Sequence, residues 1–493
     1  MRVLVVGAGP AGLAAAETLL DRGEGSVQVE LHTLGHVLGG KASSWRLEDG
    51  RTVEHGQHIY MGFYREMKAL LVRAGVDLKQ TSISSGGKYV VLEDRDQRSH
   101  RLYVGSDLLR VAADGLRYTG FSFDEKIGVA GFLASLLARV AGGVPESLDD
   151  ICFSAWALAN GVPPSVFGTN LFRTSREAQM NWPGEISAYS MLRTLKTATE
   201  SPGKFRIFYP GGGMSEMWWN PVGARIESLG GSIVRRRKLT ALVHDGERLT
   251  ALRFAHPQPH VRGERYLESI PTLPGSEDLR SDFDAAVVTL PQSALAETMD
   301  EAMDRIPGLS GIRRLKSVAP LAMQVWHRNP VSINSGKIVA GLAPPLSFVV
   351  DNKGHYPANR EDSRYASVLH FAGQLTGFES DDDETLLGRA LDSLRQVEGY
   401  EAIDRQGVVD FVVHRHAAPH KRYWYSEPGS LRFKPPIRTP LKGLYLAGDW
   451  VRCKADYPCM ETAVRTGREA ALAVLDDLLG KKGSRRRAAG FRP

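Results

Sequence analysis

Cysteine is scarce in this chain: Cys152, Cys453 and Cys459 are the only three in 493 residues. They form no C-x-x-C pair, and Cys453 and Cys459 have no histidine ligands nearby in sequence. That excludes a zinc ribbon and a disulfide framework, and it fits a reducing, cytoplasmic compartment. Long apolar runs are missing too. A spanning helix needs ~20 apolar residues; the longest candidate, 127–140 (IGVAGFLASLLARV), is interrupted by Arg139. The chain opens directly on a core strand, so no signal or transit peptide is expected. There is no internal repeat and no low-complexity block outside the tail. The net charge of +6 is partly local, because the tail 481–493 (KKGSRRRAAGFRP) carries six basic residues and no acid. A solvated, disordered end is expected there, and no nucleic-acid partner.

What is present starts at the N-terminus. Residues 3–6 (VLVV) are wholly apolar and β-branched-rich, as in a buried parallel strand. Gly7, Gly9 and Gly12 follow in G-x-G-x-x-G spacing, and residues 11–20 are helix formers. Strand, glycine turn and helix together make a dinucleotide fingerprint. Gly7 serves the turn, Gly9 lets a pyrophosphate approach, and Gly12 lets helix and strand pack closely. The phosphates would rest on the free N–H groups of the helix start. A second strand, 27–31, precedes Gly39-Gly40-Lys41.

The pattern then alternates between classes. A hairpin is expected around Asp49-Gly50, a helix over 66–74, and strands over 88–92 and 101–104. From 106 to 199 the pattern is helical, with segments 108–116, 123–140, 148–159, 164–170 and 188–199 separated by Gly, Pro and Asn. Residues 215–229 read as a helix, and 232–243 with 249–254 as a hairpin. A buried strand at 283–290 signals a return to the first domain. Strands at 322–327, 347–350, 366–371 and 408–414 and a helix at 384–397 fill the next block. The reading is an α/β fold in which 1–87, 208–300 and 440–480 form a discontinuous nucleotide domain. Residues 88–207 and 301–439 form a mixed α+β substrate domain with a helical cap.

The closing segment is the second informative stretch. Strand 443–447 ends in Gly448-Asp449, which places a carboxylate at the carboxyl edge of the sheet, where open α/β sheets bind ligands. A long helix, 460–479, begins at Met460-Glu461.

With its G-x-G-x-x-G, its downstream GGK, its LAGD and its Met-Glu helix, the sequence resembles the FAD-dependent amine oxidase superfamily. It is most similar to the plant and cyanobacterial type of phytoene and ζ-carotene desaturases. The stretch 56–64 (GQHIYMGFY) matches that family's GLHIFFGAYPN-like element, and Pro428-Gly429, Phe433-Lys434-Pro435 and 446–449 (LAGD) match its C-terminal string. The resemblance implies a Rossmann-like FAD-binding domain of the GR2 type and FAD as cofactor. Gly7, Gly9, Ala11, Gly12, Gly39, Gly40 and Lys41 would hold the pyrophosphate, and Leu239 the adenine. Gly448 and Asp449 would meet the ribityl and pyrophosphate region, Met460 the flavin ring, and His58 and Ile59 its other side. Arg328, in Val325-Trp326-His327-Arg328, matches an arginine near the flavin; a surface arginine is the alternative. His58 is open between a catalytic and a structural role.

One departure stands out. The family's ribose-binding acid falls on Thr33, or on Leu31 by a second count, and neither is acidic; Glu30 points to the other face by alternation. His414, His416 and His420 cluster without an acid or cysteine, so polar strand-end roles are preferred over a metal site, and no metal is expected. Trp218-Trp219 and Tyr423-Trp424-Tyr425 are either core or an aromatic wall for an elongated substrate.

The function expected is FAD-dependent dehydrogenation of an apolar, isoprenoid- or carotenoid-like small molecule, with a quinone or oxygen as electron acceptor. Helix 123–140 is either a buried cap helix or a peripheral membrane contact. Alternatives are a flavin amine oxidase, a redox-neutral isoprenoid isomerase or dehydroxylase, and a non-catalytic nucleotide binder.

Overall fold

The computed structural model describes residues 1–84, 86–103, 107–173, 181–199, 206–259, 270–331, 338–354, 356–455 and 457–480. The basic tail lies outside them. The first strand, Arg2–Val6, is the middle of a five-stranded, wholly parallel sheet. Its order is Ser232–Val234, Gln28–His32, Arg2–Val6, Ala285–Val288, Leu444–Leu446. Segments more than 400 residues apart in sequence therefore share one sheet, as the return of strand signals suggests. Val3, Leu4, Val5 and Val6 are all buried, because helices cover one face and a β-meander the other. A parallel sheet needs that double cover, which is why its strands read as continuous apolar runs.

Helix Pro10–Gly23 packs on this sheet beside the closing helix, Met460–Leu479. A Cβ on Gly467 would stand 2.0 Å from the carbonyl oxygen of Ala11. Only glycine permits that approach, so the two backbones run nearly in contact. Glu461, at the start of the closing helix, is buried, and its carboxylate accepts the backbone N–H groups of Arg65, Glu66 and Met67 at 2.9–3.0 Å. It caps helix Arg65–Arg73, which has no cap of its own.

A second, seven-stranded sheet combines Lys88–Glu93 and Arg98–Tyr103 with five strands from 320–415. Strand Pro320–His327 lies between Ser367–Gln374 and Val408–Arg415, antiparallel to both. Helix Asp383–Arg395 buries Leu386, Leu387, Ala390, Leu391 and Leu394 against this sheet's core. The cap helices Leu108–Arg117, Phe123–Gly142 and Ala188–Thr199 follow their expected spans within two residues, and Ser122 and Glu125 form a capping box.

Two expectations change. The single strand over 232–243 is two strands in different sheets: Ser232–Val234 joins the parallel sheet, and Lys238–His244 pairs with Leu249–Ala255. The break falls at Arg236, which has φ 58° and so turns the chain in the left-handed region. The helix over 215–229 starts as a π-type turn, Ser215–Trp219, before Asn220–Ser228 continues as α-helix.

Candidate functional site

A cavity of about 1160 Å³ is lined by both large sheets and by helix Ala188–Thr199. Its floor is the glycine turn. The N–H of Gly7 donates to His32 O at 2.8 Å, and that of Gly39 to Ala8 O at 2.9 Å, tying the turn to the second strand and to the GGK loop. Helix Pro10–Gly23 starts behind Gly9 with no side-chain cap, so its first N–H groups are left for a ligand. Nothing stands within 4 Å of where a Gly9 Cβ would lie, and a Cβ on Gly40 would come within 3.0 Å of Gly9 Cα. Side chains at either place would fill the cradle. Gly12 works differently: its Cβ would stand 1.7 Å from Gly7 O, so it sets helix against strand and does not line the cavity. Gly39 likewise packs against Trp219.

Lys41 and Asp449 face each other across the floor. The Lys41 ammonium donates to Arg422 O at 3.0 Å and sits 4.4 Å from the centre of the Tyr423 ring. Burial draws its pKa down, opposed by Asp449. Burial raises the Asp449 carboxyl, opposed by Lys41 and Lys434. Gly448, Met460, Ile59, His58, Leu239 and Thr33 all line the same cavity. The floor thus joins an uncapped helix start, an open glycine cradle and a buried acid–base pair, which fits the pyrophosphate and ribityl chain of FAD.

At the far end of the cradle, Thr33 is held by its backbone: its N–H donates to Val234 O, and its O accepts from Arg237 N–H, both at 2.9 Å. Among the described residues that line the cavity at this end, the acid is Glu297, from another segment. Glu30 lies on the other side, 2.6 Å from Arg280 and 2.7 Å from His32 Nε2. His32 stacks on Phe254 at 4.4 Å, and burial lowers it to about 4.

Arg328 is not part of the site. The cavity touches Pro320, Leu321 and Ala322 at the start of strand Pro320–His327, and the exposed Arg328 follows its other end, roughly 20 Å away at strand rise. The match of W-H-R to the family's string puts a surface arginine there.

Histidines form the wall that sequence reasoning left without a role. His55 and His416 stand 4.2 Å apart, ring to ring, and His414 lies 6.0 Å and 6.2 Å behind them. His416 Nε2–H donates to His55 O at 2.7 Å. Burial holds His55 and His416 well below 6.5, His414 and His58 at about 4 and His420 at about 3. Among the described residues no group is arranged to hold a metal. Sequence spacing links 414, 416 and 420, but not His55, which comes from a segment some 360 residues away. The tryptophans Trp218, Trp219 and Trp424 are fully buried core; of the two aromatic clusters, Tyr423 reaches the cavity.

Beyond the histidines the cavity becomes an apolar arm past Tyr89, Val91, Leu102, Leu195, Ile338 and Phe348. Among the described lining residues only Asp449 and Glu297 are acidic, and Glu297 stands near Lys238 at the cradle end.

The sequence matches a family described as flavin containing amine oxidoreductase over residues 10–475. It is 23% identical over 488 residues to a 15-cis-phytoene desaturase of an Oncidium hybrid cultivar, covering 97% of this chain and 78% of that protein. It is 22% identical over 505 residues to the 15-cis-phytoene desaturase of Synechococcus elongatus, covering 99% of each. Among solved structures, putrescine oxidase bound to putrescine superposes with a TM-score of 0.70 at 16% identity, over 96% of this chain and 99% of that one. That last likeness is one of fold.

Proposed function

The chain belongs to the flavin containing amine oxidoreductase family and is an FAD-dependent oxidoreductase, and from that premise we propose that it desaturates an elongated, apolar, isoprenoid-like substrate. One observation carries the reading: the dinucleotide cradle opens into an arm walled by Tyr89, Val91, Leu102, Leu195, Ile338 and Phe348, with no carboxylate among the described residues of the arm to receive an ammonium. The likeness to phytoene desaturases along nearly the whole chain supports it.

Bound FAD supplies the two-electron acceptor that no side chain here provides. The chain's own residues hold and shield. In this reading 1–87, 208–300 and 440–480 carry the cofactor, and 88–207 with 301–439 carry the substrate. Gly9, Ala11 and Gly40 offer backbone to the pyrophosphate, Asp449 and Lys41 bracket the chain beyond it, and Leu239 and Thr33 receive the adenosine end. Ile59, His58 and Met460 border the ring. Apolar walls exclude water and fix the orientation of the C–H bonds that are lost. A quinone or oxygen receives the electrons in the second half-reaction.

The substrate enters from a lipid surface. Leu109, Leu116, Phe123, Ile127, Leu133 and Leu137 are 46–85% exposed on two cap helices, with Arg110, Arg117, Lys126 and Arg139 on the same helices. Helix Phe123–Gly142 packs on Ala188–Thr199, where Met191, Thr194, Leu195 and Ala198 line the arm. Among the described residues no helix is long and apolar enough to cross a membrane, so the contact is interfacial.

The test is anaerobic. The purified flavoprotein is mixed with 15-cis-phytoene, with shorter isoprenoids and with a panel of primary amines, while flavin absorbance is followed. Bleaching by isoprenoids alone is the expected result; bleaching by amines alone overturns the proposal.

A further inference from the structure

Five lysine and arginine side chains line the cavity among the described residues: Lys41, Arg236, Arg237, Lys238 and Lys421. Four are compensated. Lys41 has Arg422 O and Asp449. Arg236 donates to Pro257 O at 3.2 Å, and Arg237 pairs with Asp278. Lys238 donates to Ile270 O at 2.6 Å and stands near Glu297. Lys421 has neither an acid nor a carbonyl for its ammonium, and burial alone acts on its pKa, lowering it.

Lys421 adjoins the floor through Arg422, whose O accepts from Lys41, but it answers to different neighbours. Asp449 feels Lys41 and Lys434. The charge of Lys421 is felt instead by His55, His414, His416 and His420. Burial keeps those imidazoles neutral, and Lys421 is the amine beside them on that wall. A half-buried ammonium facing neutral rings and an apolar arm lacks a counter-charge. An anionic oxygen placed there would form a charge-assisted hydrogen bond in surroundings that screen it poorly.

We infer that Lys421 and the histidine wall form an anion subsite at the mouth of the apolar arm, and that the substrate is an isoprenoid-type chain ending in a carboxylate or a similar anionic oxygen group. This rests on the apolar-substrate reading and adds a head to the tail. The same chemistry has a second source, the phosphates of FAD itself, and the experiment separates the two.

Geranylgeranoic acid and its methyl ester share one chain and differ in charge. Their affinities for the holoenzyme are read from the flavin absorbance change on titration. The acid binds at least about tenfold tighter than the ester, the ratio falls to about one in Lys421→Met, and Lys421→Arg keeps it. The affinity of the apoprotein for FAD, read by quenching of flavin fluorescence, stays unchanged in Lys421→Met, and unchanged thermal unfolding shows that the variant folds. Equal binding of acid and ester by the parent protein overturns the inference. So does a loss of FAD affinity in Lys421→Met with the acid–ester ratio intact, which assigns Lys421 to the cofactor. If 15-cis-phytoene bleaches the flavin and neither C20 compound binds, the subsite fails and the desaturase reading stands. If only amines bleach it, the desaturase reading fails first.

Discussion

Glu54 is a carboxyl group with no place for a charge. It is 2% exposed; Tyr356 O–H and Met214 N–H donate to Oε1 at 3.0 and 3.2 Å, and Oε2 has no partner. Burial pushes its pKa up to about 8. The folded protein therefore keeps a proton that the unfolded chain releases above about 4.5. Stability contributed by this group falls as pH rises from about 4.5 to 8, by about 1.4 kcal/mol per pH unit. Glu54→Gln keeps the shape and removes the slope. Its advantage over the parent in chemical denaturation widens from pH 5 to pH 8, and a constant difference across that range would refute the assignment. Residue-scale features of this kind were only partly readable beforehand. Gly7, Gly9, Gly40, Lys41 and Asp449 follow from motif spacing, because the turn and the sheet edge dictate where such residues go. Lys421 and His55 do not, since their meaning depends on which groups from other segments fail to reach them.

Elements were more readable than residues. The cap helices Leu108–Arg117 and Phe123–Gly142 announce themselves by caps and periodicity; whether Phe123 and Ile127 are covered depends on tertiary packing, which leaves them 76% and 57% exposed. The lipid contact proposed above would use both that apolar face and its cations, each cation near anionic headgroups adding about 1 kcal/mol. Flotation with phosphatidylglycerol-containing liposomes is expected to carry the protein up. Phe123→Ser with Ile127→Ser reduces the bound fraction several-fold, and high salt weakens it; flotation unchanged by both would exclude this face. The element that deceived was 232–243, whose β-branched residues on both sides of the basic run 235–238 hide a turn at Arg236. Strand propensity is met on both sides of the turn, and nothing in the local sequence reports that the two halves join different sheets.

At the scale of the molecule, burial of imidazoles dominates the response to acid. His32, His55, His58, His414, His416 and His420 are all held below 6.5 by desolvation. A histidine with a depressed folded pKa contributes stability above 6.5 and loses it as pH falls, because the unfolded chain takes up the proton first. Each adds a slope of up to about 1.4 kcal/mol per pH unit, against the opposite slopes of Glu54 and of the other buried carboxyls whose pKa is raised, Asp351, Asp449, Glu461 and Glu469. Net stability is expected to drop steeply from pH 6.5 toward 5, and flavin release with it, since most of these rings line the cofactor cavity. Thermal unfolding and flavin fluorescence recorded across that range check this; a flat profile would mean that the wall is open to water. The overall α/β plan was visible in the order of strand and helix signals. The union of His55 with His416 was not, because it is a contact between segments far apart in the chain.

The near-contact of Gly467 with Ala11 also sets a timetable for biosynthesis. The strand that carries the phosphate turn leaves the ribosome some 440 residues before the carboxylate that faces Lys41 and the helix that packs on the first one. Until then the first helix has an apolar flank with no partner. At ~5–20 residues per second, the nascent chain waits roughly 20 to 90 seconds with that flank exposed. The complete cofactor floor thus exists only once the closing helix has been made and has docked.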